Sequence, residues 1–358
     1  RDPETPHTLQ DLFAKARHPQ RIFVGVLWQV VPDEDDDCLQ VPAAVAHRQL
    51  QGIHIHPSQS RGACWARSRI LTELRRGEEF VLQIDSHMRF VQDWDEKMLT
   101  MLQHCATPRA LLSTYPITYT PPATLAEPSI PLMTANKFNH RGLLMPLART
   151  LSYDQRPAQP VPNPFISAGF LFGPAAAFDQ VPYDPHLYFI GEEISLAVRL
   201  WTHGWDVYSP NDVLIYHFYG PPEQRPRHWT DNSQWGELDN ISGSRLRHLF
   251  GMEPSTDPNV LVDIDRYGLG SVRTLEEFER YADVNLRQQT TGAAGRCGRF
   301  PLHPLAEDDA LRRVFERIYR DDVWQSIETR SGLSATLQAT AEIRPALAEL
   351  FKKLNIRT

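Results

Sequence analysis

The chain has 358 residues, 41% of them hydrophobic, enough for a sizeable core and compatible with one large α/β domain or two smaller ones. Its net charge of −7 supplies no overall basic field of the kind that draws a protein to nucleic acid or anionic membrane, so no nucleic-acid partner is expected and any phosphate affinity must be local. No apolar run approaches the ~20 residues of a transmembrane helix, residues 1–10 are polar rather than a secretory core, and Cys38, Cys64, Cys105 and Cys297 include no Cys-x-x-Cys pair; the expectation is a cytoplasmic protein with reduced thiols.

In chain order, residues 21–31 (RIFVGVLWQVV) form an apolar, β-branched run ahead of Pro32 and the acidic stretch 33–37. They read as a buried first strand ending in a solvated loop. Trp28 and Gln29 end that strand, at the edge of an α/β sheet that commonly receives a nucleotide base, although Trp28 equally suits plain core. Residues 54–56 form a candidate second strand. Residues 62–76 then place Ala63, Ala66, Ile70 and Leu74 on one helical face before Gly77 stops the helix. Arg61 and Arg67 lie on or just before that helix, where a guanidinium reaches back toward a diphosphate or a base; most such arginines are solvated helix charges. Residues 80–84 (FVLQI) are the next buried strand, followed at once by Asp85, Ser86 and His87. Polar residues at that strand end mark a site.

Residues 116–164 are rich in proline, threonine and small residues without sustained periodicity, and read as a long surface excursion, an acceptor-binding lid. Residues 165–172 are the next buried strand. In 192–202, Ile194, Ala197, Val198 and Trp201 make a helical stripe ending at Gly204, and the short strand 213–216 delivers His217. Beyond about residue 254 the pattern changes to amphipathic helices at 274–282 and 308–319, separated by a Gly/Arg-rich stretch at 292–299, with further helical signals at 331–358.

Asp85 and His87 stand two residues apart at a strand end, so in extended geometry both project to the same side. A carboxylate and an imidazole suit a divalent transition metal such as Mn²⁺, with open positions for diphosphate oxygens. His217, flanked by aromatics in YHFYG, is a natural third ligand. Taken alone, the D-x-H triplet reads equally as a strand-end Asp capping a turn beside a surface His. Glu192 and Glu193 open a helix after Gly191; first-turn carboxylates suit the macrodipole as simple structural decoration. The functional reading is that one of them binds a hydroxyl of the sugar or of the acceptor.

Six segments, RIFVGVLWQ, SRGACWARSRI, FVLQIDSHMRFVQDWDEKM, FISAGFLFG, FIGEEISLAVRLWTHGWDVYSP and IYHFYG, follow one another over residues 8–249. Their order resembles the cytoplasmic polypeptide N-acetylglucosaminyltransferases, whose characterised members cap hydroxyproline on a ubiquitin-ligase adaptor. More distantly it resembles the mucin-type polypeptide GalNAc-transferases, which share the D-x-H motif, a later Gly-Glu helix start and a third metal histidine. The resemblance implies an α/β fold of the GT-A nucleotide-diphospho-sugar transferase type, a Rossmann-like mixed sheet flanked by helices. The implied division is a catalytic domain at 1–255, a mainly helical appendage at 256–320 packed on it, and a helical linker at 321–358.

The implied activity is retaining transfer of a sugar, N-acetylglucosamine first, from a UDP-sugar to a hydroxyl of a glycan, lipid-linked saccharide or polypeptide acceptor, with Mn²⁺ or Mg²⁺. Carried over by position, Asp85, His87 and His217 match metal ligands, Glu192 matches the Glu of the Gly-Glu helix start, and Arg67 matches a donor-side arginine. Tyr219 and Trp229 fall in a loop that closes over the donor, and Ser86 and Gly169 belong to matched segments beside it. The tail from WQSIETRSG to the end resembles the lead-in to an S-adenosylmethionine methyltransferase domain, which suggests a fused, multidomain enzyme. Two other readings use the same residues. A metal-assisted hydrolase would activate water at the Asp/His set, but no H-E-x-x-H or H-x-x-E-H element accompanies it; a carbohydrate-binding module would keep the fold without turnover.

Overall fold

The protein is described from a computed structural model covering residues 1–298 apart from residue 44 and residues 222–227. The expected helix at 308–319 and the tail at 331–358, with its methyltransferase lead-in, lie outside these residues. Among the described residues no helix is long and apolar enough to cross a membrane. Cys38, Cys64 and Cys105 are free thiols.

The chain opens on α1 (Thr5–Lys15), an element absent from the sequence-based expectations. Leu9, Leu12 and Phe13 share one face at helical spacing and are buried, each contributing ~1.5–3 kcal/mol. They pack on Met88, Phe90, Trp94 and Met98. The first strand, β1 (Val24–Gln29), pairs in parallel with β2 (Leu50–Ile55), setting Trp28 opposite His54. It is shorter than the expected 21–31 because a 3₁₀ turn, Pro19–Arg21, precedes it. The acidic stretch 33–37 is not simply a solvated loop either: Asp35 is buried, accepting the Val31 amide at 2.7 Å and pairing with Arg1. The helix expected at 62–76 is α2 (Ala63–Arg69) continued by a π-helical turn, Ile70–Leu74.

The central sheet is mixed. It comprises β3 (Phe80–Ile84), β5 (Ala110–Ser113), β10 (Val161–Pro162), β11 (Phe170–Pro174) and β12 (Asp206–Ser209), in the order β10-β12-β5-β11-β3. Only β12 and β5 run parallel. A second sheet has the order β4-β13-β6-β7, from β4 (Met88–Phe90), β6 (Ile117–Thr120), β7 (Thr124–Leu125) and β13 (Ile215–His217). The helices α3 (Trp94–Gln103), α4 (Ala175–Gln180), α5 (Glu192–Thr202), α6 (His228–Asp231) and α7 (Trp235–Leu249) are interleaved with these strands.

Three expectations are corrected here. The excursion at 116–164 contains a long antiparallel hairpin, β8 (Ser129–Phe138) with β9 (Leu144–Ser152), and buries Ile130, Leu132, Met133 and Ala135. The strand expected at 165–172 begins only at Phe170; Phe165 and Ile166 are core residues of the preceding loop. The strand expected at 213–216 is β13, so His217 lies within the strand rather than after it.

Beyond residue 254 come α8 (Pro258–Leu261), α9 (Leu275–Ala282), the pair β14 (Val284–Asn285) and β15 (Thr290–Thr291), and α10 (Ala293–Cys297). Phe278, Ala282, Val284 and Leu286 belong to the same hydrophobic cluster as α5 and β11. α5 itself is buried on nearly every side, since its polar residues Glu192, Ser195, Arg199 and Thr202 are buried along with Ile194, Leu196, Ala197, Val198 and Leu200.

Candidate active site

β3 ends at Ile84, and Asp85, Ser86 and His87 carry the chain into β4. Antiparallel pairing of β4 with β13 sets His217 opposite Met88, and the Phe218 amide donates to the His87 carbonyl at 3.1 Å. Sheet register therefore brings the third residue of the set across 130 positions. His87 Nε2 lies 3.0 Å from His217 Nε2, which lies 3.1 Å from Asp85 Oδ2; His87 Nε2 and Asp85 Oδ2 are 3.9 Å apart. Among the described residues these are the three His, Cys, Asp or Glu side chains whose donor atoms gather as a metal site would require, all within 4.8 Å.

The donor set fits a divalent ion. Donors at ~2.0–2.2 Å from a common centre and at right angles are separated by about 3 Å, close to the two shorter distances here. Gly169 makes room beside it: a Cβ there would stand 3.2 Å from Asp85 Oδ2 and 3.6 Å from His217 Cδ2.

Arg67 joins this cluster to α5. Its guanidinium donates to Asp85 Oδ1 at 2.7 Å and to Glu192 Oε1, and its side chain is 11% exposed. Burial works against ionising Asp85, yet His217 and Arg67 outweigh it and hold the carboxyl well below its ordinary range. Glu192 is pushed up by burial in spite of Arg67. Arg67 is itself disfavoured by burial but raised overall by Glu192, Tyr183 and Asp85. A guanidinium bridging two carboxylates fixes both, and by taking Oδ1 of Asp85 it leaves Oδ2 facing the histidines. Glu193 points elsewhere, accepting from the Ala168 amide at 2.9 Å and from the Tyr115 hydroxyl; burial raises it to about 7.

On the other side stands Asp2, just ahead of α1. Asp2 Oδ2 accepts from His87 Nδ1 and from Ser86 Oγ, both at 2.7 Å. Burial would raise Asp2, but these hydrogen bonds hold it at about 2. Sequence reasoning missed Asp2 because it missed α1; the usable signal was the Leu9, Leu12, Phe13 spacing. Tyr115 and Tyr183 were also missed, since isolated tyrosines in irregular segments carry no pattern.

The remaining expected residues divide. Ser86 lies in the cluster, its hydroxyl bonded to Asp2. Tyr219 reaches it through its ring, 4.2 Å from that of His217, and its hydroxyl donates to the Pro116 carbonyl at 2.8 Å. Trp28 is buried and stacks on His54 at 4.9 Å, with its indole Nε1 lacking a hydrogen-bond partner among the described residues. The Gln29 carbonyl accepts from the backbone nitrogen of Arg1. Arg61 is exposed, and Trp229 packs against Phe189 at 5.6 Å, two residues ahead of Gly191.

A protein-family model described as Glycosyltransferase (GlcNAc) matches residues 1–49 and 36–288. No curated protein matches the chain. Among solved structures, the crystal structure of GalNAc-T7 with UDP, GalNAc and Mn²⁺ is similar, with a TM-score of 0.50 at 10% identity, covering 76% of this chain and 52% of that one. The chain thus spans about half the length of that structure, and the likeness is one of fold: mixed sheets flanked by helices in the GT-A arrangement.

Proposed function

The chain belongs to the glycosyltransferase (GlcNAc) family, and on that premise we propose that it moves a sugar, N-acetylglucosamine first, from a UDP-sugar to a hydroxyl of a glycan or polypeptide acceptor with retention of configuration. The observation that carries the proposal is the convergence of Asp85 Oδ2, His87 Nε2 and His217 Nε2. Those three would hold Mn²⁺ or Mg²⁺, which when bound neutralises charge on a departing diphosphate. GalNAc-T7, similar in fold, was crystallised with UDP and Mn²⁺, and the same two kinds of ligand are proposed here. In this reading residues 1–255 form the catalytic unit and residues 256–298 belong to an appendage on it.

The chain's own residues supply positioning. Arg67 bridges Asp85 and Glu192 and fixes them side by side, so Glu192 presents a fixed oxygen near the ion site for a sugar hydroxyl. Glu193, held by the Ala168 amide next to Gly169 and by Tyr115, is raised by burial to about 7 and is a buried group that accepts or shares a proton. Gly169 lets the donor phosphates approach the cluster without meeting a side chain, and Tyr219 covers His217. Transfer on one face of the sugar needs no covalent intermediate: a leaving phosphate oxygen takes the acceptor proton, and alignment provides the acceleration.

The test is UDP release from a panel of UDP-sugars with Mn²⁺, with and without EDTA, in wild type and Asp85→Ala. Metal-dependent release from UDP-GlcNAc that Asp85→Ala lowers at least ~100-fold supports the proposal. Sugar binding without metal-dependent UDP release would instead favour a carbohydrate-binding module.

A further inference from the structure

Resting on the metal reading of the cluster, we infer that Asp2 is the positioning residue for His87, so that the segment carrying Asp2 and α1, and not only the strand-end triplet, builds the metal site. The Asp2 carboxylate only accepts. At 2.7 Å from His87 Nδ1 it requires the proton on that nitrogen, and a neutral imidazole then has its free lone pair on Nε2. Nε2 is the atom that faces His217 Nε2 and Asp85 Oδ2. The other tautomer would aim an N–H at the centre of the donor set and leave His87 no lone pair there to bind a cation.

Asp2 is itself held in place. Its Oδ2 takes the Ser86 hydroxyl, its Oδ1 takes the Glu4 amide at 3.0 Å, and its carbonyl takes the Thr5 amide and hydroxyl. The helix behind it is fastened along the same segment that carries the ligands. The Thr8 hydroxyl donates to the Ser86 carbonyl and accepts the Met88 amide, each at 2.8 Å. The Phe90 amide donates to Asp11 at 2.6 Å. α1 therefore brackets the Asp85-Ser86-His87 turn, and Asp2 is the point at which that bracket touches a ligand.

The experiment measures Mn²⁺ binding to the full chain, from the electron paramagnetic resonance signal of free Mn²⁺, in wild type, Asp2→Ala and Asp2→Asn. In parallel, ¹⁵N-histidine spectra of the metal-free protein report the His87 tautomer. Asp2→Ala is expected to weaken Mn²⁺ binding by about 10–100-fold and to move the His87 proton off Nδ1. Asp2→Asn, whose carbonyl still accepts, should recover part of the affinity. A purely structural Asp2 would lower the melting temperature and leave Mn²⁺ affinity within about twofold of wild type, which would overturn the inference. So would a wild-type spectrum with the proton on Nε2, a readout that stands even if Asp2→Ala does not fold. If wild type itself binds no Mn²⁺, the metal reading fails and the inference with it; if wild type binds and Asp2→Ala binds equally well, only the inference fails.

Discussion

Glu192 and Glu193 are adjacent in sequence and differ in every partner. About 100° of helix rotation separates them, so one meets Arg67 and the other meets Tyr115 and the Ala168 amide. Among the described residues Glu193 has no cation in hydrogen-bonding contact, and burial raises it to about 7. The folded protein therefore holds this proton more tightly than the unfolded chain, whose glutamates titrate near 4.5. Stability must then fall as pH rises from about 4.5 to about 7. Asp2 and Asp85 act in the opposite sense, since depressed carboxyls contribute stability that is lost as pH falls below their ordinary range. Comparing wild type with Glu193→Gln isolates the Glu193 contribution. Urea unfolding in EDTA should show wild type losing up to ~3 kcal/mol relative to Glu193→Gln between pH 4.5 and 7.5; parallel curves for the two proteins would refute this account of Glu193.

Among elements, α5 depends on the residue just before it. Gly191 has φ 89°, and a Cβ there would overlap Leu246 Cδ1 and stand 3.1 Å from Leu143 Cδ1. Gly191→Ala is expected to cost about 2–4 kcal/mol, from left-handed backbone strain together with overpacking. It should also lower kcat/KM more than a remote variant of equal instability, because both glutamates move with the helix start; denaturant unfolding alongside UDP release separates the two effects. The strand 80–84 and the helix 192–202 were legible to the residue, since apolar runs with clear stops report their own bounds. The hairpin β8–β9 was not. Pro131 and Pro146 break the alternation that marks strands, yet a two-stranded hairpin has outer edges where a missing N–H does no harm. Residues 165–169 misled in the other direction: Phe165 and Ile166 are apolar because they are buried, while the strand starts only after Gly169 has passed Asp85 and His217.

At the scale of the molecule, the segment after residue 254 is joined to the core through Phe278. That ring is fully buried, edge-on to Phe165 and Trp201, while Trp201 stacks on Tyr281 at 4.8 Å. Phe278→Ala should cost about 3–5 kcal/mol and shift a single cooperative transition. A transition that splits in two in calorimetry, with the site intact after the first step, would mean that this segment folds separately.

The amino-acid sequence by itself determined the α/β alternation, the Asp85-Ser86-His87 turn at a strand end and the glycine-started helix with its two glutamates. Each of these is set by propensity and periodicity within a few residues. Only the tertiary structure decided that Asp2 receives His87 Nδ1 across 85 positions and that Arg67 reaches Asp85 and Glu192, the latter 125 positions away. It also decided that His217 closes the donor set. Such pairings follow from how β4 registers with β13 and how α1 lies against β4, and these depend on which buried faces meet, a choice made by the whole core at once.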